Sequence, residues 1–570
     1  MSSQVPESGY AGRKWFLLAL FSLAATAVAC RVFYLQILNK DFLIDQGDAR
    51  AIRSVEIPAY RGTITDRNGE PVAVSTPVAS IWAAPGKVLD SGAGLGELAN
   101  LLDTSVEEIR RFMTDRQDRN FVFMKRHVLP DTARQVRDLR IPGINIDKEY
   151  KRYYPIGEVA SHLIGFTDID DAGQEGIELA FDDWLRGEPG KKRVLKDLYG
   201  SIVKDIENIS QPVPGRSLTL ALDQRLQYLA YRELQTAVLR NKARGGMLLL
   251  LGVRTGEVLA LAVQPPFNPN NRADFKGNQY RNRVVTDVFE PGSTIKPFTI
   301  TAALMSGLYQ PETTVDTAPG KLNIGRYSIS DLNNYGTLSI SDVIRKSSNV
   351  GTTKVALSLG PERLWKLHHN IGFGSPTMSG YPGEVPGTLT DYADWSSLDL
   401  ATVSYGYGIS VTTMQLAQAY SVIATGGLLY PISFQKVSTT PAPRRVIPEM
   451  VAFEVNRMMR TVIGPGGSGR RAAVEGYHIA GKTGTVHKTS ESGYEEDRYT
   501  SLFAGFAPAT EPRLVLVVVI DDPGAGQYFG GQVAAPVFSR VMQGALQILN
   551  IPPDNLIGLK KQALLAGNTR

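Results

Sequence analysis

Hydrophobic and polar positions follow three different rhythms along this chain. Near the N-terminus, WFLLALFSLAATAVACRVFYLQIL runs from Trp15 to Leu38 with little polar interruption. Wound as a helix at about 1.5 Å per residue, it matches a hydrocarbon layer of roughly 30 Å and predicts a single membrane-spanning helix. Arg31 lies toward its distal end, where a snorkelling side chain costs less than the roughly 2.5 to 3.5 kcal/mol of a charge at mid-membrane. From residue 41 to about 210 the apolar positions come in short alternating stretches. IRSVEIPAYRGTITDRNGEPVAVS predicts strands around DRNG, where Asn68-Gly69 is a strong hairpin-turn signal. Glycines then punctuate the chain down to a short amphipathic segment around Trp184.

The third rhythm begins after NISQPVPGRS, 208–217, whose prolines and glycine mark a domain boundary. LDQRLQYLAYRELQTAVL places Leu222, Leu226, Leu229, Leu234 and Val238 near one face of a helix. GGMLLLLGV and VLALAV, on either side of RTGE, predict a hairpin whose first strand, apolar throughout, is buried on both faces. YHIAGKTGTV, TSLFAGFAP and RLVLVVVID predict further strands near the other end. The simplest assembly is one sheet built from both ends of an α/β domain, with helices inserted between.

Size and composition narrow this picture. At 570 residues the chain exceeds one compact core, so two or three folded units are expected. A net charge of +5 without any lysine or arginine block gives no indication of nucleic acid. One cysteine, Cys30, excludes an internal disulfide and a Cys-based zinc site within one chain. No H-E-x-x-H occurs, and core or surface roles are expected for the histidines, so no metal is indicated. Arg13 and Lys14 precede the apolar run; by the positive-inside rule residues 1–14 form a cytoplasmic tail and everything after residue 40 lies outside the cytoplasm. The competing reading is a cleaved signal peptide with Cys30 lipidated after AVA, but the apolar run continues beyond the roughly 7 to 15 residues of a cleavable segment.

The candidate chemistry sits in FEPGSTIKPFT, 289–299. The S-x-x-K spacing is weak alone, since SIVK at Ser201 and SFQK at Ser433 share it. Only Ser293 stands at the start of a predicted helix, where i and i+3 share a face and Pro297 is tolerated in the first turn. The helix terminus adds partial positive charge beside a hydroxyl that must become an anion. Lys296 can act as its base only if its pKa falls well below the usual value of about 10.4, which burial and a second cation would both achieve. Downstream, KSSNVGTT offers Ser347 and Asn349 in a turn between two helical stretches. AGKTGT offers Lys482, Thr483, Gly484 and Thr485 in a strand whose Gly481 and Gly484 would let a ligand's backbone lie close. Each motif alone reads as an N-cap, a turn and a surface lysine; the three in this order carry the signature of a serine acyl-transfer site.

With RGTITDRNG at 61–69, RYYPIGEVASHLIGFT at 152–167, LDQRLQ at 222–227, SYGYGISVT at 404–412 and FAGFAP at 503–508, the chain resembles the class B penicillin-binding proteins, most specifically their division-type D,D-transpeptidases. One departure is Thr413, where that pattern has proline. The resemblance implies an α/β multidomain protein: a transmembrane helix at 15–38, a strand-rich, dimerisation-like pedestal at 41–210, and a transpeptidase domain at 216–555 with a mainly antiparallel five-stranded sheet flanked by helices, then a tail at 556–570. It implies that Ser293 attacks the penultimate D-Ala carbonyl of a peptidoglycan stem peptide and that Lys296 is its general base. By the same resemblance Ser347 relays a proton to the leaving amine, Asn349 orients Lys296 and holds the substrate amide, and Lys482 adds positive potential. Thr483 and Thr485 would grip the substrate carboxylate, and the backbone N–H groups of Ser293 and Thr485 would form the oxyanion hole. The peptide would extend along the strand containing Gly484, with Tyr405, Gly406 and Gly408, and the pair Tyr528 and Phe529, as pocket walls.

The same resemblance implies no cofactor, β-lactam antibiotics as inhibitors, and a single-pass inner-membrane protein with its catalytic domain in the periplasm. Arg31 and Gln36, awkward in lipid, suggest a partner helix, which by resemblance belongs to the polytopic division glycosyltransferase FtsW or another divisome membrane protein. A β-lactamase would share the three motifs but needs a fast deacylating water and no stalk. A catalytically silent β-lactam sensor or scaffold would normally show several spans and a cytoplasmic effector.

Overall fold

In a computed structural model of the chain, residues 8–43, 52–196, 202–271, 279–490 and 493–555 are described. The expected tail at 556–570 and Ser201 lie outside these residues. Helix α1 (Ser8–Phe33) leads into one π-helical turn at Tyr34–Leu38. The apolar stretch within it, Gly12–Leu38, has a mean hydropathy of 2.1, and Phe16 and Phe21 remain 69% and 71% exposed. That surface suits acyl chains rather than water.

The described chain divides into two compact units, one of residues 1–60, 76–151 and 187–214, the other of 61–75, 152–186 and 215–570. Within the expected 41–210 segment, the stretches 61–75 and 152–186 cluster with the second unit rather than the first. Charge burial ties those two stretches to each other. Arg61 pairs with Glu178 and Asp182 at 2.6 Å each, and Arg152 pairs with the other oxygen of Glu178 at 2.6 Å, with both arginines and Glu178 excluded from solvent. Buried ions this closely matched hold each other in place, because losing one partner leaves an uncompensated charge worth about 3 to 5 kcal/mol. Strand Ile64–Thr65 also pairs in parallel with Leu218–Thr219, beyond the predicted boundary.

The first unit contains an antiparallel sheet of Ile52–Ile57, Gly190–Lys196 and Ile202–Ser210. It is less purely strand-and-turn than its sequence rhythm suggests, since helices at Pro85–Ser91, Leu95–Leu102, Val106–Thr114 and Pro130–Asp138 bury Leu98, Ile109, Met113 and Val136. The signal for one of them was present: Ser105 and Glu108 form a reciprocal capping box.

In the second unit, β1 (Ala243–Gly252), β2 (Val258–Gln264), β3 (Ala480–Ser490), β4 (Gly493–Ala507) and β5 (Leu514–Pro523) form one antiparallel sheet in the order β2-β1-β5-β4-β3. Around it stand α2 (Gln224–Arg240), α3 (Lys296–Met305), α4 (Ile340–Lys346), α5 (Asn349–Leu359), α6 (Thr413–Ala424) and α7 (Ala535–Ile548). Strand periodicity sorts the two faces. Leu248, Leu250, Leu516 and Val518 meet Leu226, Ala230 and Leu234 of α2 and Phe538 and Val541 of α7, while Met247, Leu249, Val517 and Val519 meet the α6 side with Leu416 and Tyr420. The predicted double burial of the first hairpin strand is what the sheet requires, because β1 lies inside it. Leu229 and Val238 flank rather than form the buried stripe of α2. Thr413 occupies the first position of α6, after Thr412 caps it with Gln415. A proline would suit that same position.

Two histidines sit deep in this unit. His368 is fully buried, neither ring nitrogen has a hydrogen-bond partner, and burial pushes its pKa down to about 3. Burial likewise takes His162 to about 4, partly opposed by its contact with the Gln279 carbonyl. Both folded values lie below the unfolded value of about 6.5, so stability is full above that pH and falls as acid is added, by about 1.4 kcal/mol per unit for each ring. Between pH 7 and pH 5 each should cost about 2 kcal/mol. Denaturant melts of detergent-solubilised protein at the two pH values should show this loss, and His368→Leu should remove about half of it. An unchanged pH slope in the variant counts against the assignment.

Candidate active site

Ser293 stands in a 3₁₀ turn, Gly292–Ile295, that feeds directly into α3. Neighbours hold this turn from several sides. The Gly292 N–H donates to the Gly406 carbonyl at 3.0 Å, and the Tyr420 hydroxyl donates to the Thr294 carbonyl at 2.8 Å. The backbones at 292 and 406 approach so closely that a Cβ on Gly406 would fall 2.1 Å from the Gly292 oxygen. The N-cap position of α3 belongs to Ile295, so the Ser293 hydroxyl is not used as a cap.

Ser347 ends α4 and the next residue, Ser348, caps α5 through the Gly351 N–H. The predicted turn between two helices is this junction. Ser347 lies in the left-handed region at φ 61°, a place usually given to glycine at a helix end. Its side chain thereby reaches the candidate nucleophile, donating to Ser293 Oγ at 3.0 Å. Lys296 and Lys482 both donate to Ser347 Oγ, at 3.2 and 2.9 Å. One donor and two acceptor sites are all a hydroxyl has, so Ser347 is saturated.

Lys296 also donates to the Ser347 carbonyl at 2.6 Å and to Asn349 Oδ1 at 2.7 Å. Both lysines are fully buried. Burial first, and then the Lys482 charge, holds the Lys296 amine well below the usual lysine range, while Asp331 pulls the other way. Burial lowers Lys482 to about 7. The burial and second cation that the sequence reading required are thus both present. No direct Ser293–Lys296 hydrogen bond is formed; the contact runs through Ser347.

Lys482, Thr483, Gly484 and Thr485 lie on β3, at the edge of the sheet, with β4 on one side only. Thr483 Oγ1 is 2.9 Å from Ser468 Oγ, and Thr485 Oγ1 accepts from the Gly530 N–H at 2.9 Å. The side-chain positions of both glycines of this strand are taken up by protein. A Cβ on Gly484 would press on Thr294 and Leu502 at 3.0 Å, and one on Gly481 on the Phe503 ring at 2.7 Å. The nucleophile turn therefore abuts the strand.

A cavity of about 690 Å³ opens here, lined by Ser293, Ser347, Asn349, Thr483, Thr485 and Phe529 among others. Tyr405 and Gly406 are not among its lining residues; Gly406 braces the nucleophile turn from behind, and Gly408 donates to Glu290 Oε1 at 2.8 Å. Tyr528 stacks on Tyr499 at 4.0 Å, beside Phe529, and also falls outside the lining.

Sequence reasoning missed Asp331. Its carboxylate accepts from the Ser348 hydroxyl at 2.6 Å and from the backbone N–H groups of Asn349 and Val350, fixing the start of α5. The Asn349 amide is held as well, donating to the Ser330 carbonyl at 3.0 Å. Only the hairpin of Lys321–Ile324 with Tyr327–Ser330 brings Asp331 to this place, so no local spacing could have signalled it.

Comparison with known proteins places this geometry. A family profile described as penicillin binding protein transpeptidase domain matches residues 246–543, and one described as penicillin-binding protein dimerisation domain matches 56–220. The chain is 43% identical over 540 residues to a probable peptidoglycan D,D-transpeptidase PbpC of Pseudomonas aeruginosa, covering 95% of this chain and 96% of that one. It is 43% identical over 539 residues to the peptidoglycan D,D-transpeptidase FtsI of Escherichia coli K12, covering 94% and 91%. Among solved structures, the apo TP domain of penicillin-binding protein 3 from Burkholderia pseudomallei superposes with a TM-score of 0.55 at 40% identity, over 59% of this chain and 97% of that one.

Asp331→Asn keeps an acceptor but removes the charge that favours the Lys296 ammonium. The rising limb of the pH profile for acylation of Ser293 should therefore move to lower pH, by about half to one unit, while the plateau rate falls. Stopped-flow acylation across pH checks it. A lower plateau with an unmoved limb would leave Asp331 a purely structural cap.

Proposed function

The chain belongs to the penicillin-binding protein transpeptidases that carry a dimerisation domain ahead of the catalytic one, and we propose that it cross-links stem peptides at the division septum through an acyl-enzyme on Ser293. It is a peptidoglycan D,D-transpeptidase, and stem peptides and β-lactams are the ligands of its family. The observation that carries the site assignment is the single hydroxyl of Ser347, within 3.2 Å of both lysines and 3.0 Å of Ser293.

In this reading Ser293 Oγ bonds to the penultimate D-Ala carbonyl as its proton leaves toward Lys296. The tetrahedral oxyanion is held by the backbone N–H groups of Ser293 and Thr485, each typically worth about 10²- to 10³-fold in rate. Ser347 hands a proton to the nitrogen of the departing D-Ala. The amine of a neighbouring stem then attacks the acyl carbonyl, its proton returns through the same hydroxyl, and Ser293 is regenerated. The free edge of β3 supports an extended peptide added as a further strand, with Thr483 and Thr485 at its terminal carboxylate.

Arg13 and Lys14, immediately before the apolar run that starts at Trp15, support an inner-membrane protein with its catalytic unit in the periplasm. Arg31 and Gln36, on the same apolar stretch, support a helix–helix contact in the membrane, and we assign its partner as FtsW of the divisome.

A fluorescent penicillin should label the protein covalently, and Ser293→Ala should abolish labelling; a labelled variant would place the nucleophile elsewhere. The wild-type label should persist for many minutes, whereas loss within seconds would indicate a β-lactamase. Arg31→Leu should weaken co-purification with FtsW, and undiminished recovery would remove Arg31 from that contact.

A further inference from the structure

The turn that carries Ser293 crosses β3 at one place. A Cβ on Gly484 would fall 3.1 Å from the Pro291 carbonyl oxygen, and one on Gly292 would fall 2.5 Å from a Val486 methyl. Glu290, just before this crossing, stands beside the next stretch of the strand, and with Val486, His487 and Lys488 it lines a cavity of about 200 Å³. Two neighbours frame it: the Gly408 N–H and the Tyr494 hydroxyl both donate to Glu290 Oε1, at 2.8 and 3.0 Å. Tyr494 packs edge-on against Tyr407 with ring centres 5.6 Å apart, and the Tyr407 hydroxyl faces the His487 backbone.

Glu290 is the unbalanced charge of this cavity. Arg283 pairs with Asp287 at 2.7 Å and with Asp521 at 2.8 Å, and Lys488 pairs with Asp521 as well. Glu290 has no cationic partner among the described residues, and its Oε2 is buried with no hydrogen bond. Burial holds its carboxyl above the ordinary range, against the pull of the Gly408 N–H and the Tyr494 hydroxyl. A buried carboxylate oxygen without a donor is unfavourable, and an ammonium brought to it supplies both the missing hydrogen bond and the missing charge.

The free edge of β3 leads a substrate to this point. An extended chain advances about 3.3 Å per residue. With the terminal carboxylate at Thr483 and Thr485 and the penultimate carbonyl at the Thr485 N–H, the preceding residue of the donor lies beside His487, where Tyr407 meets the strand. We infer that Glu290, framed by Tyr407 and Tyr494, is a specificity-determining residue that binds a side-chain ammonium on the donor residue immediately before D-Ala-D-Ala. The inference rests on the transpeptidase reading above. It assigns the donor class: a stem peptide whose residue at that position carries a free side-chain amine, preferred over the same peptide with the amine acylated.

The test uses the full-length protein in detergent and two synthetic thioester donors that deliver the same lysyl-D-alanyl group, one with the side-chain amine free and the other with it acetylated. Thiol release in the first turnover, with no acceptor added, reads acylation of Ser293 alone. The amine donor should acylate about tenfold faster than the acetylated one in the wild type, the size expected of a hydrogen bond to a charged group. Glu290→Gln keeps an acceptor for Gly408 and Tyr494 but removes the charge, and should bring the ratio near one; Glu290→Asp should retain part of it. Penicillin-labelling stoichiometry normalises each variant for folded protein. Equal loss of rate with both donors in Glu290→Gln would make Glu290 a structural brace and overturn the inference. A wild-type ratio near one overturns it without any variant. Failure of both donors to acylate a protein that penicillin still labels would instead overturn the transpeptidase reading.

Discussion

The catalytic unit depends on burying two lysines around one serine hydroxyl without giving either a carboxylate. Isolated ammonium groups in a dry interior are costly, and proteins usually answer by pairing them or by letting them lose the proton. Here the second answer prevails. Lys296 and Lys482 are both excluded from solvent, burial lowers the pKa of both, and the Lys482 charge further disfavours that of Lys296 across Ser347. A paired lysine would remain an ammonium and be useless as a base. Asp331 shows how finely this is set, since it stands near enough to favour the Lys296 charge but points its oxygens into the start of α5.

Holding that arrangement requires backbone in unfavourable places. Ser347 adopts φ 61° at a helix end where glycine would be relaxed, a cost of order 1 to 2 kcal/mol for a residue with a side chain. Its hydroxyl can reach Ser293 and both lysines only from there, so the strain positions the reactive group. The glycines do the opposite: Gly406 and Gly484 remove side chains where the nucleophile turn must touch the SYGYG loop and the edge strand. The sheet supplies the rigidity behind both. β1 and β5, buried on either face, fix β4 and thus β3, while α6 anchors the turn through Tyr420.

Much of this was legible from the residues. Unbroken apolar runs marked the inner strands of the catalytic sheet, because a strand between two helical layers must be apolar on both faces and Leu248–Leu251 and Leu514–Ile520 are. The three motifs located the site because each lies at a structural junction that its own spacing encodes. What escaped were features made by chain segments far apart. The ion cluster that ties 61–75 to 152–186 pairs Arg61 with residues more than a hundred positions away, and no period records it. Asp331 arrives on a hairpin. Gly481 and Gly484 were visible as glycines, but whether they admit ligand or protein depends on Phe503 and Thr294, which only packing reveals.

The saturated hydroxyl also bears on how the site begins its reaction. When protonated, Lys296 can give all three N–H groups, to the Ser347 carbonyl, Ser347 Oγ and Asn349 Oδ1. A neutral amine keeps two N–H groups and presents a lone pair instead. Its carbonyl and amide-oxygen neighbours can meet only N–H groups, and they are also the shorter contacts, so the lone pair falls opposite Ser347. Ser347 must then turn its own proton from Ser293 to Lys296, which leaves its oxygen open to accept the Ser293 proton. Loss of one proton from Lys296 thereby reverses the direction of the Ser293–Ser347 bond and makes Ser293 the donor, the polarity a nucleophile needs. The indirect contact between Ser293 and Lys296 is in this light a relay whose sense is set by the charge on the buried lysine.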